Sequence, residues 1–189
     1  MKPVISVENL TVEYKTPYGS VRALQNLNFQ IQTGEIFGLV GESGSGKSTA
    51  AWVIMRYLAD NGQVVGGEVL FKGIDLFTLK AAELRKYRGK KIAMVYQDPM
   101  TSLNPAMTVG RQIQEVIDLH QGGTKEQTWT QAVSMLEKVH ISDPAASAQK
   151  YPHELSGGQK QRVVIAMALA CRPELLLADE RAAVVAAAL

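Results

Sequence analysis

GESGSGKST, residues Gly41–Thr49, decides what kind of fold this chain can adopt. Gly41, Gly46, Lys47 and Ser48 satisfy the spacing G-x-x-x-x-G-K-[ST]. A short apolar run, EIFGLV at Glu35–Val40, precedes it and reads as a strand buried on both faces. An amphipathic segment follows, predicted to be helical to about Leu58. Glycines let the backbone curl until successive N–H groups point inward at an anion, and the helix start adds its positive end. Glu42, Ser43, Gly44 and Ser45 complete this cradle, and Thr49 lies in the first helical turn. In such a loop Lys47 reaches the β- and γ-phosphates of ATP, and the Ser48 hydroxyl is a ligand for Mg²⁺.

Two later segments extend the same chemistry. LLLADE at Leu175–Glu180 is an apolar strand ending in two carboxylates. Mg²⁺ takes hard oxygen ligands, so Asp179 is the candidate ligand, and Glu180 stands where a general base for the attacking water belongs. Many strands end in acidic residues, and only the preceding phosphate loop makes this pair diagnostic. LSGGQ at Leu155–Gln159 is a helix start: Ser156 is the N-cap, and Gln159 closes an S-x-x-Q capping box before VVIAMALA. Gly157 and Gly158 in the first turn cost roughly 1 kcal/mol each against Ala. They bare N–H groups at a positive helix end, which suits a second phosphate contact; a plain loop-to-helix junction is the alternative.

Composition sets outer limits. The chain has 189 residues, enough for one domain, with 46% hydrophobic and 20% charged residues and a net charge of +2. The basic residues are scattered apart from Arg85–Lys91, so no platform for nucleic acid is expected. Cys171 is the sole cysteine, which rules out an internal disulfide and fits a reducing compartment. It lies in AMALACRPELLL, where a buried small hydrophobe is the expected role. MKPVISVENL lacks an apolar stretch of signal-peptide length, and no window approaches the run of about 20 apolar residues that a membrane span needs. The expected location is cytoplasmic, with any membrane role exercised through a partner.

Along the chain, Val4–Tyr14 and Val21–Gln32 read as strands around a turn at Thr16–Ser20. Gly62–Gly73 carries another strand, Leu79–Tyr87 a helix, and Lys91–Tyr96 a buried strand. From Thr108 to about Val139 the spacing turns helical, with Val109, Ile113, Val116 and Ile117 on one face. Ala132, Met135, Leu136 and Val139 form a second face. Helices between core strands predict an inserted helical subdomain, about residues 99–162.

These motifs together resemble the nucleotide-binding subunit of ABC (ATP-binding cassette) transporters. YQDPMTSLNP at Tyr96–Pro105 and YPHELSGGQKQR at Tyr151–Arg162 resemble, more narrowly, the oligopeptide, dipeptide and nickel importer branch. The resemblance implies an α/β P-loop NTPase with an N-terminal antiparallel β subdomain and an inserted helical subdomain. It implies that Tyr14 stacks on adenine, with Tyr18 as a lesser candidate; either is alternatively a strand-end packing residue. Gln97 resembles the glutamine that approaches Mg²⁺ and the attacking water. Ser156, Gly157, Gly158 and Gln159 resemble the signature that touches ATP held by a second cassette, identical or different. The implied partners are that cassette, transmembrane permease subunits and, indirectly, a substrate-binding protein. The subunit would sit peripherally on the cytoplasmic side of the inner membrane and couple ATP hydrolysis to import of peptides or nickel.

The family pattern continues beyond Asp179–Glu180 with an aspartate loop and a switch histidine, whereas here RAAVVAAAL ends at Leu189. His120, His140 and His153 all precede Asp179. The resulting expectation is a C-terminally incomplete cassette over residues 1–189 that binds nucleotide and hydrolyses it poorly. Its tail would be a short helix or an incomplete end, leaving an open edge beside the Leu175–Asp179 strand. A soluble ABC ATPase without a transport role is the other alternative.

Overall fold

A computed structural model describes residues 3–96, 98–179 and 183–188. In chain order the elements begin with β1 (Ile5–Thr16), β2 (Gly19–Ile31), β3 (Ile36–Val40), α1 (Lys47–Ile54), β4 (Gly62–Phe71), β5 (Ile74–Asp75) and α2 (Ala81–Tyr87). They continue with β6 (Ile92–Val95), α3 (Pro99–Ser102), α4 (Val109–His120), α5 (Lys125–Lys138) and α6 (Pro144–Ala148). A 3₁₀ turn (Pro152–Glu154), α7 (Gly157–Leu169), β7 (Leu175–Asp179) and β8 (Ala183–Ala188) complete the order. The chain divides into two compact units, one of Met1–Arg88 with Glu174–Leu189 and one of Gly89–Pro173.

The first unit opens with an antiparallel sheet in the order β2-β1-β4-β5. β1 buries Ile5 and Val7 on one face, with Ser6 between them covered as well, then shifts phase to bury Leu10 and Val12. The shift is a bulge at Asn9, which is left-handed at φ 49. Gly67 faces that bulge, and a Cβ there would run into the Glu8 carbonyl, so only glycine fits. Leu24 and Ile31 of β2 and Val69 and Phe71 of β4 complete this core.

Three strands form the second sheet of this unit. β8 lies antiparallel to β3 on one side and to β7 on the other. β3 and β7 are therefore parallel to each other, as a phosphate-loop fold requires. Ala183–Ala188 thus forms a strand, where a short helix or an incomplete end were the two expectations, and the expected open edge of β7 is covered. Alanine favours helix by only tenths of a kcal/mol over most residues. Unpaired backbone N–H and C=O groups along two strands outweigh that preference.

The expected double-sided burial of β3 does not hold. Ile36 and Val40 are each 78% exposed, while Phe37 turns the other way and stacks on Phe29 at 5.0 Å. A continuous apolar run says nothing about which of its faces finds a cover. α1 is also shorter than expected. It closes at Ile54 in a turn where the Arg56 N–H bonds the Val53 carbonyl and the Tyr57 N–H reaches the Trp52 carbonyl. Arg56 takes the left-handed position usually given to glycine, at a cost of about 1 kcal/mol. Its guanidinium offsets that strain by donating to the Leu76 and Leu79 carbonyls at 2.9 and 2.7 Å.

The second unit is mostly helical. Val109, Ile113 and Ile117 of α4 are fully buried, as are Ala132 and Leu136 of α5, whereas Val116 and Val139 are only half-buried. α4 and α5 also share a polar contact, since the buried Gln114 donates to the Lys125 carbonyl and Thr128 Oγ1. Gln112, buried as well, holds the loop before its own helix through the Asn104 N–H and the Asn104 and Met107 carbonyls. Cys171 is buried as expected, and burial pushes its thiol up from the ordinary range. No helix among the described residues is long and apolar enough to cross a membrane.

Two outcomes follow from this packing. Ile113→Ala removes a fully buried side chain and should cost about 2–5 kcal/mol by urea unfolding. Burial, reinforced by the Lys90 charge, lowers the His120 imidazole below its ordinary value. The unfolded chain then binds the proton more readily, so this contribution to stability is complete above about pH 6.5 and falls away as pH drops toward the lowered folded value. Unfolding titrations of His120→Gln should lose that part of the acid slope.

Candidate phosphate-binding site

The site is assembled by backbone direction before any side chain contributes. Val40 pairs with Ala183 of β8, and Asp179 pairs with the next residue, Val184. Two parallel strands therefore deliver the loop at Gly41 and the carboxylate at Asp179 to the same edge of the sheet. Gly44 and Gly46 stand at φ 81 and 90, a region L-residues rarely enter. Gly46 is constrained twice, because a Cβ there would also strike the Ala23 carbonyl and come within 2.8 Å of Leu24 Cδ2.

α1 then starts with Gly46 as its N-cap and with no side chain accepting from its first-turn amides. Those N–H groups remain as donors toward the exposed loop Gly41–Ser45. Lys47, only 8% exposed, folds back over the loop. Its Nζ donates to the Gly41 and Glu42 carbonyls at 2.8 and 2.6 Å, and to Ser45 Oγ at 3.4 Å. A buried ammonium thus sits in the cradle with three oxygen partners.

Ser48 Oγ donates to Asp179 Oδ1 at 2.8 Å, across a sequence separation of 131 residues. Asp179 is 6% exposed, so its carboxylate is held by this contact rather than by bulk water. The half-buried Ser48 oxygen keeps its lone pairs for a cation. Thr49 is buried in the first turn. Gln97 and Glu180, the expected catalytic pair, lie outside the described residues.

Tyr14 is half-buried near the end of β1, and its ring covers Gly62, where a Cβ would come within 2.8 Å of Cε1. Tyr18 sits in the β1–β2 turn and is wholly exposed. The partnership of Tyr14 with Gly62 left no mark in the sequence, because it depends on the register of β1 against β4.

Ser156–Gln159 belongs to the second unit. Ser156 Oγ accepts from the Gln159 N–H at 3.4 Å, and Gln159 Oε1 accepts from the Ser156 N–H at 2.9 Å, the expected reciprocal cap. At Gly157 and Gly158 a Cβ would meet nothing within 4 Å, and neither residue has a positive φ. Nothing among the described residues requires glycine at either place. Arg162, one turn on, donates to the His140 carbonyl at 2.6 Å and so ties α7 to the end of α5. Sequence reading missed this anchor and the arginines at the end of α1, since carbonyl-seeking guanidinium groups carry no spacing signal.

The contrast between the glycines is measurable. Gly46→Ala should lower the thermal midpoint, because it adds both a clash and left-handed strain. Gly157→Ala should instead raise stability by up to about 1 kcal/mol, the helix-propensity gain at an open position.

Comparison with known proteins agrees with this geometry. A family model described as ABC transporter matches residues 24–183. The oligopeptide transport ATP-binding protein OppD of Haemophilus influenzae is 50% identical over 180 residues, covering 95% of this chain and 55% of that protein. The Escherichia coli protein of the same name is 48% identical over 177 residues, covering 94% and 52%. The chain thus spans about half the length of the curated relatives it matches. Among solved structures, the dimeric post-hydrolysis state of the ATP-binding cassette MJ0796 bound to ADP and Pi is similar at a TM-score of 0.80 and 33% identity, over 93% of this chain and 73% of that one. Since the family match runs from the strand that backs the phosphate loop to the residues beyond Asp179, the chain belongs to the ABC transporter family.

Proposed function

We propose that this chain is an ATP-binding subunit that couples binding and hydrolysis of ATP to the import of peptides. The observation that carries this reading is the Ser48–Asp179 contact beside a glycine cradle whose helix-start amides have no side-chain cap. Peptide as the substrate class is supported by relatives whose names specify oligopeptide transport or peptide import.

The residues present suit Mg²⁺. Ser48 Oγ and Asp179 Oδ1 lie 2.8 Å apart. Adjacent ligands on an octahedral Mg²⁺ at about 2.0–2.1 Å are about 2.9 Å apart. No group of three or more His, Cys, Asp or Glu suited to a metal occurs among the described residues, as fits an ion held largely by phosphate and water. When bound, Mg²⁺ supplies charge neutralisation to the β- and γ-phosphate oxygens.

The remaining roles belong to the chain itself. Lys47 exchanges its loop carbonyls for phosphate oxygens, and the uncapped first-turn amides of α1 add hydrogen bonds from the helix start. Glu180 takes the proton of the attacking water and Gln97 orients that water. Tyr14 offers its ring to adenine. Ser156, Gly157, Gly158 and Gln159 present a helix start, open at its two glycines, to the γ-phosphate of ATP held by a second cassette. The bareness of the two glycines supports this, because no contact among the described residues accounts for them. The Gly89–Pro173 unit, as the helical subdomain, would pass the change to membrane-spanning permease subunits, which a substrate-binding protein supplies. The location that follows is peripheral, on the cytoplasmic face of the inner membrane.

Equilibrium dialysis with labelled ATP tests the core of this reading. The chain should retain ATP in the presence of Mg²⁺, and EDTA should weaken that retention. Lys47→Ala should lose at least about tenfold in affinity, which corresponds to about 1.4 kcal/mol. Unchanged affinity in that variant would remove the site assignment. Glu180→Gln should keep ATP binding and abolish phosphate release, and recovery of permease subunits with the tagged protein would support the transport role.

A further inference from the structure

Two arginines close the carboxyl end of the phosphate-loop helix, and the chemistry above uses neither. Beyond Ile54 the carbonyls of Met55 and Arg56 have left the helical ladder. Arg88 pairs both: Nε donates to the Met55 carbonyl at 2.7 Å and Nη2 to the Arg56 carbonyl at 2.6 Å. The same guanidinium lies 5.8 Å from the centroid of the Tyr57 ring. A planar fork can satisfy two neighbouring carbonyls while lying against a ring, whereas a lysine ammonium cannot do all three. The positive charge also complements the carboxyl end of α1.

The backbone of Arg88 has a second function. Its N–H donates to the Leu84 carbonyl at 3.1 Å and terminates α2. The first unit ends at this residue, and the second begins at Gly89. Gly89, at φ 75, bonds the Ile92 carbonyl at 2.8 Å and turns the chain directly into β6. Gln97 follows that strand in the sequence.

Formation of the phosphate cradle does not call on Arg88. Gly46 is seated against Ala23 and Leu24, and Ser48 on Asp179, at the opposite end of α1. What Arg88 adds is a link from the far end of that helix to the point where the chain changes units. We infer that Arg88 is a positioning residue that couples α1 to Gly89–Val95, so that displacement of the phosphate-loop helix on nucleotide binding reaches the crossover into the second unit. This rests on the ATP-binding reading above.

Hydrogen–deuterium exchange of the 189-residue chain, with and without Mg²⁺ and the non-hydrolysable analogue AMPPNP, tests it. In the unmodified chain the analogue should slow exchange in both Gly41–Ile54 and Gly89–Val95. In Arg88→Ala the slowing at Gly41–Ile54 should persist, with affinity kept within about threefold, while the nucleotide response of Gly89–Val95 disappears. Arg88→Lys, which keeps the charge without the fork, should show the same split if the alanine variant does not fold. A purely structural role would raise exchange at Gly89–Val95 equally with and without nucleotide, leave the response intact, and overturn the inference. Parallel loss of affinity would overturn it too, by making Arg88 part of the cradle's own support. If the unmodified chain responds only at Gly41–Ile54, the coupling fails while ATP binding stands; no response and no binding removes both.

Discussion

A hydrogen bond of 2.8 Å from Ser48 to Asp179 joins the two halves of the phosphate site across 131 positions of sequence. Three strands and one glycine of the first unit make that meeting possible. β3 and β7 must run parallel and end level, and β8 arranges this by pairing antiparallel with each of them. The loop must then turn sharply enough for the first helical turn to face the end of β7. Gly46 allows that turn, at a place where a methyl group would strike the Ala23 carbonyl. A carboxylate that is 6% exposed is tolerable only because a hydroxyl is aimed at it.

Glycine plays two distinct physical parts in this protein. At Gly46 and Gly67 the backbone is left-handed and a neighbouring carbonyl leaves no room for a side chain, so the surrounding fold dictates the residue. At Gly157 and Gly158 the backbone is ordinary helix and the space is open. There the residue weakens the helix it begins, and no contact among the described residues compensates for it. Among the described residues, packing accounts for glycine at the first pair and for neither residue of the second.

Helix ends are the other recurring device. Both α1 and α5 finish with a non-glycine residue in the left-handed region, Arg56 and His140. In each case an arginine from a later element takes up the carbonyls released there, Arg88 for α1 and Arg162 for α5. The guanidinium fork is suited to this because it presents several donors in one plane and keeps its charge at any physiological pH. Such contacts lock the orientation of a short helix, which matters most where its other end carries a binding loop.

Much of the site was legible because it is local. The spacing at Gly41–Ser48, the cap at Ser156–Gln159 and the helical faces around Ile113 and Leu136 all depend on neighbours within a few residues, and the chain states those directly. The sequence by itself determined the glycine spacing of the cradle, the capping box, and the existence of β1 to β4, α1, α2, β6, α4, α5, α7 and β7. Tertiary structure alone decided that Ser48 meets Asp179, that Tyr14 lies on Gly62, that α1 stops at Ile54 under two arginines, and that Ala183–Ala188 pairs as a strand. It also decided that Ile36 and Val40 stay exposed despite their apolar run. The physical reason is common to all of these: burial and long-range pairing depend on which partner surface arrives, and hydrophobic periodicity records a preference for contact without naming the partner.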